Sequence, residues 1–258
     1  MKRRMALGAV LLAMGGGGAA IVQNAVAGGA TAAARQADGG LSVSPAVIEV
    51  KNAHTGALAT LTVANRSATA LNVTVTPRPW LQGADGKVSP NRRSTLGGVS
   101  VTEGSFALAP TAEKQITVNL NTSAANGLYG ALEVVGIPSD AATRKGLVLG
   151  YRVVGAVRLL PAAPKSAITA GKIKVSKGTA VLPVKNTGNT VDAVTGNVSI
   201  KYAAGTKNLT VQAVKILPGN TINVPLGTKL SKGTVTAKVT LNQSGKRALQ
   251  LTKKFTVK

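Results

Sequence analysis

Few residues in this chain could carry covalent chemistry. It has one histidine, His54, no cysteine, and eight carboxylates scattered over 258 residues. A serine-histidine triad or a histidine-rich metal site would rest on His54 alone, and disulfides, thiolate nucleophiles, sulfur-ligated zinc and iron-sulfur clusters are excluded. His54 itself sits among Asn52, Ala53, Thr55 and Gly56, a turn-forming context. No carboxylate cluster suggests a calcium loop or a glycosidase pair, and the glycines at 15–18 neither follow a nucleotide-binding strand nor form a phosphate loop. The expectation is a noncatalytic protein with no cofactor and no metal.

Charge is the stronger signal. The chain carries 31 Lys+Arg and a formal net charge of +23, enough to draw it toward anionic cell-wall polymers, acidic polysaccharide or an anionic membrane face. Nucleic acid would also be attracted, unspecifically and in a salt-dependent way. The pattern lacks a recognition helix, a zinc finger or an aromatic stacking platform, so no specific nucleic-acid partner is expected.

The elements that must position these charges begin with a targeting segment. Met1-Lys2-Arg3-Arg4 is basic, residues 5–22 are apolar and rich in Gly and Ala, and Ala25-Val26-Ala27 is a small-x-small site. That order reads as a signal peptide over 1–27, followed by a flexible leader over 28–40. An uncleaved membrane anchor is the alternative, weakened by the glycines in the apolar run. An extracytoplasmic location follows, periplasm or cell surface, with no stable transmembrane segment after processing.

From Leu41 onward the chain is short runs of Val, Ile, Leu and Thr broken by Gly, Asn, Pro and Ser, an all-β pattern. Strands are expected at 41–51, 58–64, 70–76, 114–120, 128–137 and 147–160, with a long polar connection at 82–104 that could carry a short edge strand. Pro161-Ala162-Ala163-Pro164 reads as a stiff hinge over 161–164. Beyond it strands are expected at 173–175, 180–184, 194–201, 209–214, 221–224, 234–241 and 249–257. Two immunoglobulin-like β-sandwich domains in tandem result, at 41–160 and 165–258.

An internal repeat supports the division. Residues 61–67, ending Val63-Ala64-Asn65-Arg66-Ser67, match 182–188, ending Val184-Lys185-Asn186-Thr187-Gly188. Leu108-Ala109-Pro110 with 116–120 and 127–134 matches Leu217-Pro218 with 222–226 and 233–240 in the same order. Asn65, Asn72 and Asn121 also head glycosylation-type triplets, which chance explains in a chain so rich in Asn and Thr.

On these residues the first domain resembles the immunoglobulin-like domain of bacterial pilus-assembly chaperones. The likeness rests on the opening strand 41–51, Val63-Ala64-Asn65 before a turn, a strand ending in Trp80, Phe106 to Pro110 with 116–120, and a long final strand closing at Pro161. Residues 127–134 resemble equally a group of Gram-positive cell-surface sandwich proteins. The chaperone resemblance implies that the last strand of the first domain adds to a pilus or surface-protein subunit that lacks a strand, while two basic residues in the interdomain cleft hold its terminal carboxylate. Leu149, Tyr151, Val153, Val157 and Leu159 then form the partner-facing alternating set, and Arg158 is the candidate clamp. Residues 41–50 hold no Lys or Arg where that family places its first basic anchor, and Lys51 comes late.

Other readings stay open: the long strand as core, Arg152 and Arg158 as ordinary solvent-facing cations, and Trp80, Tyr129 and Tyr151 as packing residues. A structural or adhesive cell-surface protein, with its basic domain on anionic wall polymer, is the competing function. Its source is the charge asymmetry: residues 165–258 carry 16 Lys+Arg against Asp192 alone.

Overall fold

The computed structural model describes residues 39–203 and 205–258, so the expected signal peptide and most of the expected leader lie outside the described residues. Both remaining halves fold as two-sheet sandwiches, antiparallel except for the parallel pairing of the second and tenth strands of the first half. Among the described residues no helix is long and apolar enough to cross a membrane.

The first sandwich contains β1 (Leu41–Ser44), β2 (Val47–Lys51), β3 (Gly56–Asn65), β4 (Leu71–Gln82), β5 (Val88–Pro90), β6 (Val99–Val101), β7 (Ser105–Leu108), β8 (Glu113–Leu120), β9 (Leu128–Pro138) and β10 (Tyr151–Leu160). One sheet runs β1-β3-β8-β6; the other runs β2-β10-β9-β4-β5, with β7 also on β4. Strand β4 shows why the sequence chooses this arrangement: Leu71, Val73 and Val75 are buried while Asn72 and Thr74 between them are exposed, so one face of the pleat is apolar and must be covered. Residues 41–51, expected as one strand, are two. Pro45 has no N–H for a ladder, and at that point the chain leaves the first sheet and joins the second.

The second sandwich contains β11 (Ile168–Ala170), β12 (Lys174–Ser176), β13 (Thr179–Asn186), β14 (Ala193–Tyr202), β15 (Gly205–Lys215), β16 (Thr221–Gly227), β17 (Gly233–Gln243) and β18 (Lys246–Val257). Its sheets are β11, β12 and β16 on β13, and β15-β14-β17-β18. The short β11 carries no pattern of its own in the sequence. Each sandwich has its own apolar core.

The repeat in the sequence is a repeat in space. β3 pairs with β8 as β13 pairs with β16, and β4 pairs with β9 as β14 pairs with β17. At the end of β3 the buried Asn65 amide donates to the carbonyls of Thr69, Leu108 and Ala109 and its oxygen accepts from Ser67 N–H. At the end of β13 the buried Asn186 donates to Thr190 and Ile216 carbonyls and accepts from Gly188 N–H. The asparagines recur because each knots a turn to the proline-containing turn of the neighbouring strand. Asn65, heading a glycosylation-type triplet, is thereby consumed in the core.

Candidate functional site

Strand β10 is covered unevenly along its length. It pairs with β9 from Tyr151 to Leu159, but the parallel ladder to β2 begins only at Ala156, opposite Val47. Among the described residues, 151–155 therefore present one edge without a ladder neighbour, a template for strand addition. The preceding residues 147–150 are not strand, because the β9 ladder ends with Gly136 opposite Tyr151; the expected start at 147 is corrected to 151.

The alternating bulky set changes its role as it passes along this strand. Leu147 is 89% exposed and Leu149 71%. Tyr151 and Val153 are half-buried against the core, and Val157 and Leu159 are fully inside it. The expectation that Val157 and Leu159 face a partner is thus corrected: where β2 closes the edge and the facing sheet closes the face, those side chains complete the first core. Leu147 is the residue that pattern reading passed over, and the alternation itself carried the signal. On the opposite face Val154 and, on β9, Ile137 are exposed, adding apolar surface near the open edge.

A cleft of about 600 Å³ lies between the sandwiches. Parallel pairing places Arg158 opposite Glu49 and Leu160 opposite Lys51, so two cations from adjacent strands reach this cleft, joined there by Lys215 of the second sandwich. The late position of Lys51 is explained by that register. Arg158 Nη1 is 3.6 Å from Glu49 Oε2, with both side chains roughly half exposed. Burial would raise the Asp192 carboxyl, but hydroxyls of Ser166 and Thr190 donate to it and hold it below the usual carboxylate value. Trp80, Leu160, Pro161 and Leu217 supply the apolar wall. Trp80, expected as a packing residue, lines this cleft.

Tyr129, on the same row as Arg158, donates its hydroxyl to Asn189 O at 3.0 Å and spans the two sandwiches. Burial, with the charges of Asp192 and Glu49, raises its ionisation above the usual phenol value. The β4–β5 hairpin also crosses over. Gln82 Nε2 donates to Lys215 O at 2.8 Å and its Oε1 accepts from Leu217 N at 2.9 Å, while Asn223 N donates to Ala84 O. Gln82 lay in the polar connection and carried no signal in sequence. Gln82→Ala is expected to weaken this strut by about 1–2 kcal/mol, read as a broader interdomain distance distribution in solution scattering; an unchanged distribution would show that the hairpin does not set the angle.

On the outer face of the six-stranded sheet, Glu133 is buried beneath arginines. Its oxygens lie 3.0 Å from Arg78 Nε, 2.6 Å from Arg152 Nε and 3.2 Å from Arg92 Nε. Arg152, read in sequence as an ordinary surface cation, belongs to this network. His54 lies in the β2–β3 turn, and among the described residues no three His, Asp or Glu side chains gather as a metal site.

Comparison with known proteins places the architecture. A chain of a chaperone-tip adhesin complex of CFA/I fimbriae biogenesis superimposes with TM-score 0.51 at 13% identity, covering 83% of this chain and 97% of that one. The crystal structure of the class 5 fimbriae chaperone CfaA gives TM-score 0.50 at 15% identity, over 84% and 99%. No family model matches, and no curated protein is similar in sequence. At such identities the likeness is one of fold: the two-sandwich arrangement of fimbrial chaperones spans both halves of this chain.

Proposed function

We propose, from the fold this chain shares with the class 5 fimbriae chaperone, that it is a noncatalytic chaperone that binds pilus or cell-surface subunits by β-strand addition. The observation that carries the reading is the half-open strand β10: an edge at 151–155 that is unpaired among the described residues and follows directly on the exposed Leu147 and Leu149. A subunit lacking one strand would gain main-chain hydrogen bonds from that edge, and its open groove would take Leu147, Leu149, Tyr151 and Val153 as alternate side chains. The core then continues from chaperone into subunit, since the same alternating set becomes Val157 and Leu159 farther along. Arg158 with Lys51 is suited to the subunit's terminal carboxylate, the guanidinium by two-pronged hydrogen bonding and the ammonium as a point charge. The protein acts outside the cytoplasm, and the basic, apolar, small-residue order of residues 1–27 supports that location.

Leu147→Ser with Leu149→Ser is expected to lower subunit affinity by at least about tenfold while changing stability by less than about 0.5 kcal/mol. The affinity is read by co-isolation from the native envelope and titration of the isolated subunit, and the stability by chemical unfolding. Retention of the same partner at the same affinity would sink the proposal. Val157→Ser would not serve as this test, because it opens the core itself.

A further inference from the structure

The second sandwich holds sixteen cationic side chains, and among the described residues none of them forms an ion pair with a carboxylate; all the ion pairs found lie in the first sandwich. Its one acid, Asp192, is taken up by the Ser166 and Thr190 hydroxyls. Among the described residues, the charge of this half is balanced by mobile ions or by a bound polyanion rather than by its own carboxylates.

The sheet β15-β14-β17-β18 gives that charge an ordered face. Register puts Lys201, Thr236 and Lys254 in one row across three strands, and Ser199, Lys238 and Thr252 in the next row on the same side. Lys201 and Lys254 are therefore about 10 Å apart at the backbone, with Lys238 between them one row on. A shallow groove of about 360 Å³ on this face is lined by the polar side chains of Asn197, Ser199, Asn208, Thr210, Lys238 and Thr240. Amides and hydroxyls beside an unpaired ammonium suit a ligand that alternates hydroxyl groups with anionic groups.

The residue types narrow the anion. Fifteen of the sixteen cations are lysine, with Arg247 the exception. The arginine fork matches carboxylate and phosphate alike in two-pronged fashion, whereas lysine acts as a mobile point charge and is a common phosphate binder without a planar fit, which suits a flexible chain of repeated anionic groups. A membrane surface is disfavoured, since the exposed large apolar side chains all belong to the first sandwich. Nucleic acid is disfavoured too, because the rows of this face carry no aromatic ring on which a base could stack.

We infer that this groove and the lysines around it bind a linear polyol-phosphate polymer of the cell envelope, a chain of hydroxylated units joined by phosphodiesters. This surface is separate from the open strand β10 and independent of the strand-addition reading. It would hold the protein at the envelope while the first sandwich handles a subunit.

The test uses the whole two-domain protein and labelled poly(glycerol phosphate), titrated at about 50 and about 150 mM salt. Polygalacturonate, duplex DNA and phosphatidylglycerol vesicles serve as competing polyanions. The triple change Lys201→Gln, Lys238→Gln, Lys254→Gln is compared with Lys172→Gln, Lys174→Gln, Lys185→Gln, which removes the same charge around the opposite sheet. The first triple is expected to weaken poly(glycerol phosphate) binding about tenfold or more and the second about threefold or less. Asn197→Ala with Asn208→Ala should cost about fivefold for that polymer and leave DNA binding unchanged. Equal losses from the two triples, or binding of polygalacturonate, DNA or vesicles as tight as that of poly(glycerol phosphate), would overturn the inference. Unchanged thermal unfolding of each variant assigns the losses to the surface.

Discussion

Asn65→Ala and Asn186→Ala are each expected to destabilise their own sandwich by about 3 kcal/mol, more than a single hydrogen bond is worth. Each asparagine is fully buried, and Leu108 and Ile216, whose carbonyls they serve, are buried with them. Removing Asn65 strands the Leu108 carbonyl and the Ser67 N–H, and removing Asn186 strands the Ile216 carbonyl, whereas Ala109 O still accepts from Ala112 N–H and Gly188 N–H still donates to Ala167 O. An orphaned buried group costs about 1–3 kcal/mol; Asn65→Ala creates two, and Asn186→Ala creates one and also loses the bonds to Thr190 and Gly188. Chemical unfolding read at Trp80, the only tryptophan, reports the first sandwich, and circular dichroism reports the sum. A loss below about 1 kcal/mol in either variant would mean that the turns are held by packing rather than by these amides.

The second large effect is expected at Glu133. Its carboxylate is 3% exposed and is shared by Arg78, Arg92 and Arg152. Glu133→Gln leaves three guanidinium groups facing one another without a counter-charge, and a loss of about 3–4 kcal/mol is expected at neutral pH. Arg78 also donates to Ser94 O, and Arg92 belongs to the same connection, so the variant should speed amide exchange across residues 82–104. The pH dependence fixes the mechanism. Burial alone would raise the Glu133 carboxyl, but hydrogen bonds from Arg152 and Arg78 and the charges of Arg152 and Arg92 outweigh it and hold it below its ordinary value. A carboxyl lowered by folding stabilises the native state above the unfolded value of about 4.3, and that contribution fades as pH falls through the lower folded value. The gap between native protein and Glu133→Gln should therefore be widest near neutrality and close once pH falls below the folded value. A gap unchanged down to strong acid would point to lost packing instead.

Strand positions were legible because period-2 burial is written locally. In β4 and β8 the inward residues are the apolar ones. The repeated asparagine turns were legible as letters, and the structure supplied their meaning by bringing two turns within reach of one amide. β11 and the two short strands within 82–104 were poorly legible, since three-residue strands exist only where a longer neighbour offers a ladder, whereas β12 falls one residue beyond its expected place at 173–175. Gln82 had no signal for the same reason: its partners lie more than 130 residues away.

The sequence by itself determined the all-β class, the two sandwiches and the basic character of the second, because alternation, turn residues and charge are properties of neighbours along the chain. Only the tertiary structure decided which part of one alternating set is left exposed and which part is core. Leu149 and Leu159 belong to one alternating set in the sequence, yet the first lies before β10 and is exposed while the second lies in β10 and is core. The difference is made by β2, which covers the edge from Ala156 onward, and by the facing sheet that packs over Val157 and Leu159. The same holds for Arg152 and Arg158, alike in pattern but set by their strand neighbours to hold Glu133 and to reach the cleft.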